Sequence, residues 1–156
     1  MATARTYSYL IRSVSGVTGV PFAQIATPSA TAIEILRIEL GQEDSTLNQM
    51  ECLMLVRRTT NSTLPNVAER NPLNSGEAGT QLAATSITNA IGLATGTGSY
   101  QASIMRWTMH FLNGLLYLPL PEERPVLAPS NFYTLEFLAS PAAATWSGHI
   151  IYREIT

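Results

Sequence analysis

Apolar and polar residues alternate through most of this chain in short runs, and turn-forming residues separate the runs. Tyr7 to Val14 alternates in this way and predicts a first strand. Ser15-Gly16 marks a turn, and Val20 to Ala26 predicts a second strand with Pro21 at its start or on an edge. From Ala32 to Leu40 the pattern is two-residue on either side of a slip. Ile33 and Ile35 flank Glu34, Ile38 and Leu40 flank Glu39, and the phase shifts by one between Ile35 and Ile38. A β-bulge accounts for the slip; a short helix with Ile33, Leu36 and Leu40 on one face is the rival. Three isoleucines in nine residues favour the strand. Glu51 to Thr60 predicts a further strand after the polar turn Gly41–Asn48.

The C-terminal half is patterned more strongly. Ser103–Leu112 and Leu115–Leu120 are β-prone runs flanking Asn113-Gly114, a pair that predicts a type I′ hairpin turn with positive φ at both central residues. Four prolines follow, at 119, 121, 125 and 129. Each fixes φ and removes a backbone donor, so this stretch predicts a rigid elbow that leaves one sheet and runs along the domain edge, with Arg124 paired to a carboxylate. Phe132–Leu138 and Thr145–Ile155 predict two more strands. In the last, Trp146, Ile150 and Tyr152 share one face and Ser147, His149 and Arg153 the other.

About eight strands, no long helix, no repeat and no linker predict one all-β domain over residues 1–156, an antiparallel β-sandwich of jelly-roll-like form. Two parts fall outside that pattern: an N-terminal arm, Met1–Thr6, and a long irregular insertion from Asn61 to Ser99, in which Gln81–Ile91 fits either a strand or a short helix. So long a loop is unusual in a compact domain and is often functional. Its few apolar side chains offset only part of the entropy of ordering it. The insertion and the arm are therefore expected to gain order from neighbouring chains and to form the main intersubunit grip.

Composition narrows the function. Charged residues make up 13% of the chain, about half the usual share for a soluble domain, so much of the surface is covered by small polar residues or by a partner. All nine basic residues are arginine; a GC-rich genome accounts for that with no meaning for function, and the rival is an interface role, where arginine is favoured over lysine. They are scattered and the net charge is −2, which argues against nucleic-acid binding. No apolar run is long enough for a membrane helix, and the first twenty residues do not read as a signal peptide, so synthesis in the cytoplasm is expected. Cys52 is alone and reads as a buried thiol. Asn61-Ser62-Thr63 matches a glycosylation sequon, which has no use without secretion.

The candidate chemistry is thin. His110 and His149 sit inside predicted strands without a nucleophile motif. Glu43-Asp44 reads as a solvated turn, Gly96-Thr97-Gly98 as a loop lacking the rest of a phosphate cradle, and Glu122-Glu123 as a turn in which adjacent acids do not face each other across a substrate. The aromatic residues read as core and not as a sugar-binding platform. No enzyme activity, cofactor or metal is expected.

The stretch Leu116-Tyr117-Leu118-Pro119-Leu120-Pro121-Glu122-Glu123-Arg124-Pro125, then Leu127-Ala128-Pro129-Ser130, then Trp146 to Ile155, together with Leu36 to Gln42, resembles small virion proteins of tailed bacteriophages of the capsid cement, or head-decoration, type. The resemblance implies a trimeric protein on the outer capsid surface that clamps neighbouring major capsid proteins. Its implied partners are thus the major capsid protein and two further copies of itself, and its implied location is the virion. Arg5, Arg70, Pro121, Glu122, Glu123 and Arg124 are the candidate interface residues. The competing readings are a head-fibre or receptor-binding module that binds glycans, a neck or tail structural protein, and a cellular β-sandwich enzyme, which would need a catalytic constellation not found in the sequence.

Overall fold

A computed structural model describes residues 5–15, 21–27, 29–43, 50–58, 60, 66–67, 70–73, 90–91, 100–138 and 144–155. Twelve strands are found among them: β1 (Thr6–Ser15), β2 (Ala23–Ala26), β3 (Ala32–Gln42), β4 (Met50–Arg58), β5 (Asn66–Val67), β6 (Arg70–Pro72), β7 (Ala90–Ile91), β8 (Tyr100–His110), β9 (Leu115–Tyr117), β10 (Val126–Leu127), β11 (Phe132–Phe137) and β12 (Thr145–Ile155). The fold is all-β, and every described pairing is antiparallel. Sheet one has the order β10-β3-β12-β1-β6, with β9 also on β3; sheet two has the order β5-β7-β2-β11-β4-β8.

The sheets face each other across a common core, as the alternation requires. Tyr7, Tyr9 and Ile11 of β1, Ile33, Ile35, Ile38 and Leu40 of β3, and Trp146, Ile150 and Tyr152 of β12 point inward from sheet one. Ile25, Leu53, Leu55, Tyr133, Leu135 and Phe137 meet them from sheet two. The face expected of Trp146, Ile150 and Tyr152 is the one buried. Trp146 lies against Phe111 edge to face at 4.6 Å between centroids, and against Phe137 at 5.2 Å, so it bridges the layers.

The phase slip in β3 is a bulge. Ile151 pairs with Arg37 and Tyr152 with Ile35, which leaves Leu36 as the extra residue. With Leu36 set aside, Ile33, Ile35, Ile38 and Leu40 all reach the core, and Glu34, Arg37 and Glu39 lie on the outward face.

The Asn113-Gly114 hairpin is not formed. β8 belongs to sheet two, on β4, and β9 to sheet one, on β3, so the pair marks a crossing between layers. Of the pair, only Gly114 has positive φ, at 65°. Its N–H donates to the His110 carbonyl at 3.0 Å, closing a helix-like turn in place of the type I′ geometry. The reason is Phe111. Its ring is fully buried against Trp146 and Phe137, and bringing it there turns the chain out of the plane of β8. The two strands still meet through side chains: Trp107 packs on Tyr117 at 4.9 Å.

Two further readings are corrected. Cys52 is only half-buried, because it points to the outward side of β4 while Leu53 and Leu55 take the inward side. Within the insertion read as irregular, β6 pairs with β1, and β5 and β7 extend sheet two from β2. Strands of two or three residues leave no periodicity in a sequence. The intersubunit role expected of the insertion and the arm concerns residues that lie mostly outside the described ones, as do Asp44, Gly96–Gly98 and the sequon.

Central strand β12 runs so close to β3 that a Cβ built on Gly148 would stand 2.0 Å from the Glu39 carbonyl oxygen, whereas one on Gly41 would meet nothing within 4 Å. Gly148→Ala should therefore destabilise the fold by about 1–3 kcal/mol, the usual penalty for overpacking. Gly41→Ala should stay within about 0.5 kcal/mol of the parent. Urea denaturation of the two variants checks the contrast.

Candidate interaction surface

The four prolines act as expected. β10 contributes only two residues to a ladder, on the edge of β3, where Val126 lies opposite Glu34 and Leu127 opposite Ile33. β9 pairs with the same edge further along, Leu116 opposite Glu39. Between these two short strands the chain loops outward and makes one 3₁₀ turn at Pro121–Glu123. Pro119 and Pro125 are buried at the base of the loop; Pro121, Glu122 and Glu123 are exposed at its tip. The Tyr117 hydroxyl donates to the Glu123 carbonyl at 3.3 Å and ties the tip to β9.

Beyond β10 the segment Ala128–Asn131 is pinned from several sides. The Thr27 hydroxyl donates to the Ala128 carbonyl at 2.6 Å and accepts from the Asn131 N–H at 3.0 Å. Arg57 Nε donates to Asn131 Oδ1 at 2.8 Å, and the Tyr133 hydroxyl accepts from the Ala128 N–H at 2.9 Å. Ser130 carries φ 56° in this turn.

Arg124 meets a carboxylate, as predicted: its Nη1 is 3.5 Å from Glu34 Oε1. The same glutamate accepts from Arg153 Nε at 2.7 Å and also from Arg153 Nη2. Along the outward face of sheet one the series continues with Arg37 on Glu39, and His149 Nε2 is 3.7 Å from Glu39 Oε2. Arg153 with Glu34 and His149 with Glu39 pair across strands, Arg37 with Glu39 along β3, and Arg124 reaches Glu34 from the loop; on this partly exposed face each pair adds a few tenths to about 1 kcal/mol.

Beside these charges stands a row of bare aliphatic side chains. Leu116, Leu118, Leu120 and Val126 are 63%, 71%, 64% and 58% exposed. Leu116 alternates with the inward-facing Leu115 and Tyr117, and Leu118 and Leu120 with the buried Pro119. The row is thus imposed by strand geometry and by the prolines together.

Of the candidate interface residues, the structure gathers Pro121, Glu122, Glu123 and Arg124 on this edge of sheet one. Arg5 lies at the other side of the same sheet, where its carbonyl accepts the Glu154 N–H at 3.0 Å. Arg70 falls in β6 opposite Tyr9, and its side chain is outside the described residues. Of the aromatic rings described, most are buried in the core, and Trp107, Tyr117 and Phe132 are half-buried; none stands among the exposed large apolar side chains. Among the described residues no three His, Cys, Asp or Glu side chains form a metal cluster, and no helix is long and apolar enough to cross a membrane.

Sequence reasoning missed Glu34 and Arg153 as a bridge, and it missed a buried ion pair on the outward face of sheet two. There Arg58 Nη2 is 2.7 Å from Glu136 Oε2, with the two side chains 6% and 2% exposed, and Arg58 Nε donates to Thr134 Oγ1 at 3.3 Å. The signal was present: an acid inside the apolar run Phe132–Leu138. Burial raises the Glu136 carboxyl above its ordinary value of 4.5, against the opposing pull of the Arg58 charge and of hydrogen bonds from Arg58 and Thr134. A perturbed carboxyl can mark a reactive site, but this one is enclosed and shared between two partners, which makes it structural.

Because the folded carboxyl holds its proton to higher pH than the unfolded one, the stability this group contributes falls as pH rises from 4.5 through the raised value. Relative to Glu136→Gln, which does not titrate, the parent should lose unfolding free energy over that window. Glu136→Ala, which leaves the Arg58 guanidinium buried without its carboxylate, should cost about 3–5 kcal/mol. Urea titrations at a series of pH values test both.

Comparison of this chain with protein-family models, with curated proteins and with solved structures finds no match in any of the three.

Proposed function

We propose that this chain is a virion structural protein, a capsid cement protein that acts as a homotrimer on the outer surface of a capsid and holds neighbouring major capsid proteins together. The supporting observation is the aliphatic row of Leu116, Leu118, Leu120 and Val126, which lies within the stretch that carries the resemblance. Single exposed leucines are ordinary; four within eleven residues, on a segment stiffened by prolines, form a contact surface. A segment already rigid loses little entropy on docking. Repetition over the copies of an oligomer multiplies modest individual contacts.

The strand order supports a finer reading of the fold. Taken along the chain, β1, β3, β9 with β10, and β12 lie in sheet one, and β2, β4, β8 and β11 in sheet two. We read this wrapping as a jelly roll, an architecture that capsid and lectin domains share, so as an argument for function it is analogy of fold only. The reading assigns no catalysis, cofactor, nucleic acid or membrane to the chain, and it places the protein in the virion after synthesis in the host cytoplasm.

Copy number in purified particles is the decisive measurement. Quantitative mass spectrometry should find the chain in proportion to the major capsid protein, and a capsid reconstruction should place it on the outside. A handful of copies per particle would move it to the neck or tail. Absence from particles, combined with selective binding to a glycan array, would overturn the proposal in favour of a receptor-binding module.

A further inference from the structure

The edge of sheet one that carries the aliphatic row faces, across the sheet, a second edge that the function proposed above does not use. At one end of the sheet a continuous row of paired residues crosses its whole width. Val126 of β10 is opposite Glu34, Glu34 is opposite Arg153, and Arg153 is opposite Thr6. Beyond Thr6, the Leu73 N–H donates to the Thr6 carbonyl at 3.1 Å. Neighbouring strands are about 4.8 Å apart, which puts the outer strands β10 and β6 about 19 Å from each other.

The two ends of this row carry opposite charge on a similar apolar ground. At the β10 edge, Leu118, Leu120 and Val126 are more than half exposed around Pro121, Glu122 and Glu123. Neither glutamate makes an ion pair among the described residues. At the β6 edge, Leu73 is likewise more than half exposed, and just before the neighbouring strand β1 the Arg5 carbonyl accepts the Glu154 N–H. Arg5 is half-buried and also makes no ion pair among the described residues. Arg124, Arg153 and Arg37, by contrast, have carboxylate partners within the chain.

We propose that copies of this chain associate head to tail. The acidic, leucine-bearing turn Leu118–Val126 of one copy seats on the Arg5–Leu73 corner of the next. A two-fold contact through either edge would set like charges against each other, Glu122 and Glu123 against their own images or Arg5 against Arg5. A heterologous contact sets acid against base, and apolar side chains meet on both sides of it. Heterologous contacts close into rings when the rotation permits. The occupant of each edge is therefore the other edge of a second copy. The inference rests on the self-association part of the proposed function and is independent of capsid binding.

Light scattering after size exclusion, on the full chain without capsids, tests it. The parent should be oligomeric at micromolar concentration. Arg5→Glu should weaken assembly at least tenfold, and so should Glu122→Arg with Glu123→Arg. The three changes combined should restore assembly, because the charges are exchanged between edges. Leu120→Ser should weaken assembly independently of charge, and circular dichroism of each variant should match the parent. A parent that is monomeric throughout, single-edge variants that assemble normally, or a combined variant that fails to recover would each overturn the proposal. So would a monomer whose binding to particles is lost on Glu122→Arg with Glu123→Arg, since that result gives the edge to the capsid lattice. Assembly that follows the charge exchange in a protein that never enters particles would uphold the head-to-tail contact while the capsid reading fails.

Discussion

The contact of Trp146 with Phe111 and Phe137 holds the two layers in place. Trp146 belongs to the central strand of sheet one, Phe137 to a strand inside sheet two, and Phe111 to the crossing between them. Phe22 extends the group by stacking on Phe137 at 5.2 Å. Each buried ring is worth about 1.5–3 kcal/mol by area alone, and well-placed ring pairs add about 0.5–1.5 kcal/mol. The cluster ties three separate parts of the fold at one point. The path of the chain after β8, and with it the placement of β9 and the proline elbow, follows from where Phe111 must go.

From that core the two outward faces diverge. Sheet one presents paired charges and half-exposed residues, an arrangement suited to a face in water. The outward residues of sheet two include Gln24, Val56, Arg58, Thr134 and Glu136, all buried. The Arg58–Glu136 pair resolves the conflict of having charge there: each ion is satisfied by the other and by Thr134, at the expense of solvation. The proposed contact surface belongs to sheet one and to its two edges; on sheet two the edge strand β8 is also accessible, with Ala102, Ile104, Arg106 and Thr108 exposed.

What the sequence revealed depended on how local the cause was. The bulge at Leu36 was legible because a single slip in a two-residue rhythm has one geometric remedy. The elbow was legible because proline acts on its own backbone, and Arg124 was likewise expected to find an acid. Asn113-Gly114 misled because its usual turn presumes that both flanking strands share a sheet, and a buried phenylalanine two residues earlier decided otherwise. The Glu34–Arg153 and Arg58–Glu136 pairs join residues far apart in the chain, so no spacing announced them. Of the candidate interface residues, Pro121–Arg124 are neighbours in sequence, so their gathering at one turn was legible from the prolines around them. That Arg5 lies across the same sheet could be seen only once β12 was known to sit between β1 and β3.

That position of β12 governs the order in which the protein can form. Sheet one cannot zip up from neighbours in sequence: β1 and β3 are kept apart by a strand that begins at Thr145, and Thr6 must find Arg153. Closing such long loops carries an entropy penalty that no local contact repays in advance, so folding should be limited by one late, cooperative insertion on the slow timescale of sandwich proteins. Until β12 arrives, the facing edges of β1 and β3 are both open, and in that interval the nascent chain is most exposed to pairing with another copy in the wrong register.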